Sequence, residues 1–135
     1  MNVANALYPT SDRIAALLAD TSSEPVVMLN LLRFRAKAEY PDKRHTGLTG
    51  REAYMLYGEP MQRLVAREGG RLLFSGEIQS MVIGSVDETW DLAALVEYPS
   101  ATAFAKIASS AEVAAIGVHR AAGLEGQLLI RIRQR

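Results

Sequence analysis

Cysteine is absent from this 135-residue chain, so it has no disulfide framework, no thiolate nucleophile and no thiolate metal site. Histidine is scarce. Only His45 and His119 occur, at no recognisable ligand spacing from each other or from a carboxylate cluster, so no metal is expected. The chain also lacks a G-x-S-x-G elbow, a P-loop and a G-x-G-x-x-G run, which leaves hydrolase, nucleotide-phosphate and dinucleotide readings without their signatures. No cofactor is expected. The longest apolar run, Val26 to Leu32, is broken by Asn30 and falls far short of the roughly 20 residues of a membrane span. Asp12, Arg13 and Asp20 interrupt the apolar stretch near the N-terminus, so no signal peptide is expected and cytoplasmic residence is the default. An excess of one charge is missing too. Fifteen Lys and Arg balance fifteen Asp and Glu, giving no general field for polyanions, and neither nucleic acid nor membrane is expected as a partner.

What is present suits a single domain over residues 1–135, since a chain this long, 49% apolar, can bury roughly two-thirds of its unfolded surface without staples. Thr10 or Ser11 can cap a short helix carrying Ile14, Leu17 and Leu18 to about Asp20, which makes residues 1–24 a helical extension. Val26 to Leu32 is apolar on both parities, as a central strand should be. From Phe34 to Leu48 the pattern dissolves into a basic loop of the length often found in lids and binding loops. Thr49-Gly50-Arg51-Glu52 is a capping box that opens a helix with Tyr54, Tyr57, Met61, Leu64 and Val65 on one stripe, to about Glu68, kinked near Gly58 and Pro60. Leu72 to Val82 alternates like an edge strand. The next strand opens on Trp90 and Asp91, crosses a core through Leu92 to Val96, and ends at Tyr98-Pro99, where Ser100 caps a helix to about Ala108. Ser109-Ser110-Ala111-Glu112 reads as a second capping box, starting a helix that Gly123 stops. Leu128, Ile130 and Ile132 alternate with Arg131 and Arg133 in a last strand.

The order strand, helix, strand, strand, helix, strand, with continuous apolar strands first and third, predicts an α+β ferredoxin-like βαββαβ fold with an antiparallel sheet. Its central strands are apolar on both faces. Few helices are available to cover two faces, so the missing layer is expected from a second subunit, making a homodimer.

The segments P-V-V-M-L-N-L-L-R-F-R at 25–35, T-G-R-E-A-Y-M-L-Y at 49–57, E-T-W-D at 88–91, V-E-Y-P-S-A-T-A-F at 96–104 and H-R-A-A-G-L at 119–124 resemble the family of domain of unknown function 1330, in its longer form. The resemblance implies a dimeric α/β barrel made by pairing two ferredoxin-like sheets. That superfamily also contains cofactor-independent monooxygenases, muconolactone isomerases and dye-decolorising haem enzymes, so the resemblance implies a fold and a pocket rather than a chemistry.

Eight residues are candidates for a site. Asn30 lies mid-strand among leucines, where its amide must find partners. Tyr54 and Tyr57, one turn apart, share a helix face, while Trp90 and Tyr98 share a strand parity. Each of these reads as core packing or as ligand wall. Arg120 falls on the apolar stripe of Val113, Ile116 and Gly117, so its guanidinium turns inward and needs an anion there. Asp91 or Glu97 could supply it, or a substrate carboxylate or enolate. His119 and Asp91 are the proton-handling candidates. The function expected is small-molecule binding, with cofactor-independent catalysis on a small aromatic or carbonyl metabolite; the alternative is a non-catalytic structural or ligand-sensing dimer.

Overall fold

A computed structural model describes all residues from Met1 to Arg135. Its elements are α1 (Ser11–Ala19), β1 (Val26–Phe34), α2 (Gly50–Arg67), β2 (Arg71–Glu77), β3 (Leu92–Tyr98), α3 (Ala101–Ala108), α4 (Ala111–Gly123) and β4 (Leu124–Ile132). The four strands lie in the order β2-β3-β1-β4, and every neighbouring pair is antiparallel. That order, with β1 and β3 central, is the ferredoxin-like arrangement predicted from the apolar pattern. Its local signals act where the sequence puts them. Thr49 Oγ1 accepts from the Glu52 amide at 3.1 Å while Glu52 Oε1 accepts from the Thr49 amide at 2.9 Å, closing the capping box of α2. The helix continues through Pro60 as one element.

Several boundaries differ from expectation: β1 runs on to Phe34 beyond Leu32, and β4 begins at Leu124 and not Leu128. β2 stops at Glu77, not Val82, because its partner strand gives out: the Asp91 amide turns away to donate to the Leu32 carbonyl, so beyond the Ile78–Asp91 bond nothing remains to pair with. For the same reason β3 begins at Leu92 rather than Trp90. The cap of α4 is Ser110, whose Oγ accepts from the Val113 amide at 3.2 Å, and not Ser109. Ser109 instead closes α3 by donating its hydroxyl to the Ala105 carbonyl, and Glu112 pairs with Arg67 across to α2.

One sheet face carries the core. Val26, Met28 and Tyr98 pack with Val65, Ala101 and Ile107 from the helices, and Leu17 of α1 adds to the same cluster. The other face, apart from Val27, is open. Register puts Ile130, Leu29, Leu95 and Phe74 in one row across all four strands, and Leu128, Leu31, Ala93 and Gly76 in the next. None of these belongs to a buried cluster, and Phe74 and Ile130 stay 58% and 43% exposed. The chain accordingly presents 8956 Å² to solvent, against about 6,900 Å² for a typical monomer of its mass.

The contact that matters most for the site is a helix crossing. The N-terminus of α2 meets the C-terminus of α4 at Gly50 and Gly123, backbone against backbone: a Cβ on Gly123 would collide with the Gly50 carbonyl oxygen and lie 2.7 Å from the Tyr54 nitrogen. Ala53 and Ala122, both fully buried, continue the seam. Only residues without bulk let the helices approach this closely. Gly123→Ala is therefore expected to lower stability by about 1–3 kcal/mol through overpacking, measured by urea unfolding, and a variant as stable as the parent would show that the crossing can relax.

Candidate functional site

The crossing sets Tyr54 and Tyr57 of α2 beside Arg120 of α4. Across from them, on the helix-covered sheet face, β1 offers Asn30 and β4 offers Gln127, one register step apart. These groups form a chain of hydrogen bonds. Arg120 Nη2 donates to Gln127 Oε1 at 2.7 Å, and Gln127 Nε2 donates to Asn30 Oδ1 at 2.9 Å. Asn30 Nδ2 reaches the carbonyls of Met28 at 3.3 Å and Ala94 at 3.5 Å. Because a guanidinium can only donate, it dictates the orientation of both amides: the Gln127 oxygen must face Arg120, which turns its nitrogen toward the Asn30 oxygen. The half-buried amide is thus satisfied, and the relay reaches from the sheet centre to the guanidinium.

Aromatic rings form the rest of the wall. Tyr54 stacks at a tilt on Phe34 and on Tyr57, with centroids 5.4 and 5.5 Å apart, and Tyr98 meets Phe104 edge-on at 4.9 Å. Burial pushes the phenols of Tyr54, Tyr57 and Tyr98 well up, since a phenolate would be poorly solvated there. Tyr57 adds to the rise at Tyr54, and the positive charge of Arg120 pulls both the other way. None of the three hydroxyls has a protein hydrogen-bond partner, yet none is sealed off from open space; Arg35 Nε is the one sealed side-chain polar atom without a partner.

Arg120 has no carboxylate within ion-pairing distance. The expected pairing with Asp91 or Glu97 is corrected: Glu97 pairs with Arg71 at 3.0 Å, and Asp91 accepts from the Phe34 amide at 2.8 Å, holding the register shift at the end of β1. Trp90 donates its indole N–H to Asn5 Oδ1 at 2.7 Å, at the rim. His119 lies on another side of α4 from its neighbour Arg120 and shares a hydrogen bond with the Tyr40 hydroxyl at 2.7 Å. That bond, with Arg35 and Glu39 amides donating to the Gly123 and Ala122 carbonyls, ties down the start of the loop that sequence alone suggested as a lid. Asn30, Tyr54, Tyr57 and Arg120 thus come together, with Tyr98 behind the tyrosine pair; Asp91 and His119 do not join them. Sequence reasoning missed Gln127 and Tyr8, whose ring lies 5.6 Å from Arg120 Cζ. The signal for Gln127 was its parity: it alternates with Leu128 and so faces the same side as Asn30. Tyr8 left no periodic signal.

A family model described as domain of unknown function (DUF1330) matches residues 44–131. No curated protein matches the chain. Among solved structures, a methylated RPA0582 protein is 37% identical over 97% of this chain and 96% of its own, with a TM-score of 0.88. The RPA0582 protein of unknown function from Rhodopseudomonas palustris is 35% identical over 98% of each chain, with a TM-score of 0.87.

With no carboxylate to orphan, Arg120→Ala should cost at most about 1.5–3 kcal/mol, the loss of one charge-assisted hydrogen bond. Removing one member of a buried ion pair would instead cost about 3–5 kcal/mol. Thermal or urea unfolding of the variant separates the two, and a loss in the larger range would mean that Arg120 is a structural cation.

Proposed function

The chain belongs to the DUF1330 family, and we propose on that footing that it is a homodimeric α/β-barrel protein that binds a small molecule in the cleft around Arg120. One observation carries the ligand reading: a half-buried guanidinium without a counter-ion faces phenols whose hydroxyls have no partners in the protein. Buried polar groups are normally satisfied, so a cluster of unused donors beside an uncompensated charge suits an anionic or carbonyl-bearing guest.

The dimer reading rests on the open sheet face. An obligate homodimer buries about 2,000–5,000 Å² in total over both copies, and the excess exposure of the single chain, roughly 2,000 Å², amounts to about 4,000 Å² for a pair, inside that range. Two copies of the same apolar rows, packed face to face, would be self-complementary about a twofold axis. Cofactor-independent catalysis, as in monooxygenase- or isomerase-like relatives of the fold, requires a group to move protons. Asp91 and His119 are engaged away from the cleft, which favours binding or sensing over chemistry, and leaves the Tyr54 and Tyr57 hydroxyls beside Arg120 as the proton carriers if a reaction occurs.

Ile130→Glu tests the dimer, because Ile130 lies in the apolar row and is half-exposed in the single chain, so its change spares the core. Light scattering at micromolar concentration should give a dimer for the parent and a folded monomer for the variant; a monomeric parent would sink the reading. The ligand reading is tested by a metabolite panel in a thermal-shift assay. A true guest at a hundredfold excess over its Kd adds about 2.7 kcal/mol of stability, and that gain should vanish in Arg120→Ala. A panel without any hit, or hits unaffected by the substitution, would count against the cleft.

A further inference from the structure

In the segment ahead of α1, Asn5, Ala6 and Tyr8 each touch a different part of this candidate site. Asn5 accepts the Trp90 indole N–H at 2.7 Å, and its side chain occupies the space above Gly126 that a Cβ would need. Ala6 forms an isolated bridge to β4, its amide donating to the Gln127 carbonyl at 3.1 Å and its carbonyl accepting from the Gln127 amide at 2.9 Å. Tyr8 lays its ring over the Arg120 guanidinium while remaining 68% exposed. The segment makes no other hydrogen bond to the fold. Three hydrogen bonds and one exposed cation–π contact together are of the same size as the entropy lost in ordering four residues. Such a strap sits near balance between open and closed, and a small additional contact decides which.

Building on the ligand reading above, we infer that Asn5 to Tyr8 form a strap that closes over a small carboxylate held by Arg120, with Tyr8 as a specificity-determining residue. Gln127 Oε1 takes one Nη2 hydrogen of the guanidinium and the Tyr8 ring covers its face, which leaves one edge with two parallel donors, the second Nη2 hydrogen paired with that of Nε or of Nη1. A carboxylate matches that edge with two parallel hydrogen bonds. The amide oxygens of Gln127 and Asn30 are already used by the relay, so no acceptor there competes for a cationic ligand. Closure of the Tyr8 ring then excludes water from the ion pair and strengthens it. Neutralising Arg120 also removes the cost of a half-buried, unpaired charge, so ligand and strap stabilise each other.

Benzoate, benzamide and benzylamine share one flat body and differ in charge, which makes them suitable probes for calorimetric titration. Benzoate should bind the parent at least about tenfold more tightly than either of the others, as a charge-assisted bidentate contact predicts. Tyr8→Ala should weaken benzoate by about tenfold and Tyr8→Phe should not, because the ring face and not the hydroxyl makes the contact. Gln127→Glu should abolish benzoate binding by giving Arg120 an internal counter-ion, with folding checked by circular dichroism. Trp90, the one tryptophan of the chain, reports the strap: benzoate should shift its emission in the parent, and Asn5→Ala should remove that shift. Unchanged benzoate affinity in Tyr8→Ala, or benzamide or benzylamine binding as tightly as benzoate, would overturn the inference while leaving a ligand cleft in place. Failure of all three probes to bind, alongside a panel hit that Arg120→Ala abolishes, would overturn the carboxylate assignment alone; failure of both would remove the ligand reading with it.

Discussion

Bare backbone contact between Gly50 and Gly123 is the constraint on which the site depends. Two helices that touch without side chains between them sit closer than ordinary packing allows, and this proximity sets Arg120 beside Tyr54 and Tyr57. The same crossing supplies acceptors. With α4 ending at the seam, its last carbonyls are open to the Arg35 and Glu39 amides, so the segment leaving β1 is pinned to the helix end and not free to cover the cleft. His119 belongs to this anchoring. Its bond to Tyr40 closes a small buried cluster with Ala53 and Ala122, which explains why the one histidine near Arg120 in sequence is remote from it in function.

The core on the helix side is thin. Only 16 of 135 residues are buried in the single chain, and the larger of its two buried clusters is six residues that hold the sheet to α2 and α3. The apolar strength of β1 and β3 is therefore spent half on the inner face and half on rows that end at solvent. A chain with this pattern has more driving force for burial than its own helices can use. Under the proposed dimer, stability and assembly would be one property, since each copy would cover what the other's fold leaves open.

The fold was legible because its signals are local and redundant. Val26 to Leu32 and Leu92 to Val96 are apolar on both parities, Thr49 and Glu52 close a reciprocal cap, and Gly123 stops a helix; each follows from residues within a few positions. Errors arose where the deciding partner is distant. β2 ends at Glu77 because Asp91 turns toward Leu32, fifty-nine positions earlier in the chain, and nothing between Ile78 and Val82 announces it. Ser109 and Ser110 are equally good caps in sequence, and the tie is broken by Arg67 drawing Glu112 across to α2. The site was half legible for the same reason. Stripe and parity found Asn30, Tyr54, Tyr57 and Arg120, whereas Gln127 was hidden in an edge strand whose polar parity reads as solvent-facing, and Tyr8 acts through a segment without periodicity.

Electrostatically the cleft is simpler than its residue list suggests. Burial holds the phenols of Tyr54, Tyr57 and Tyr98 neutral through the physiological range, and an arginine does not lose its proton there. Neither His119 nor Asp91 lies against Arg120, because both are engaged elsewhere. The cleft therefore carries one fixed positive charge in a setting of neutral hydrogen-bonding groups, and nothing in it switches near neutral pH. A guest that loses affinity as the medium is acidified must do so through its own protonation, at its own pKa, because the protein side of the contact is unchanged. That separates recognition by Arg120 from recognition by a histidine, where the loss would follow the protein and be the same for every guest.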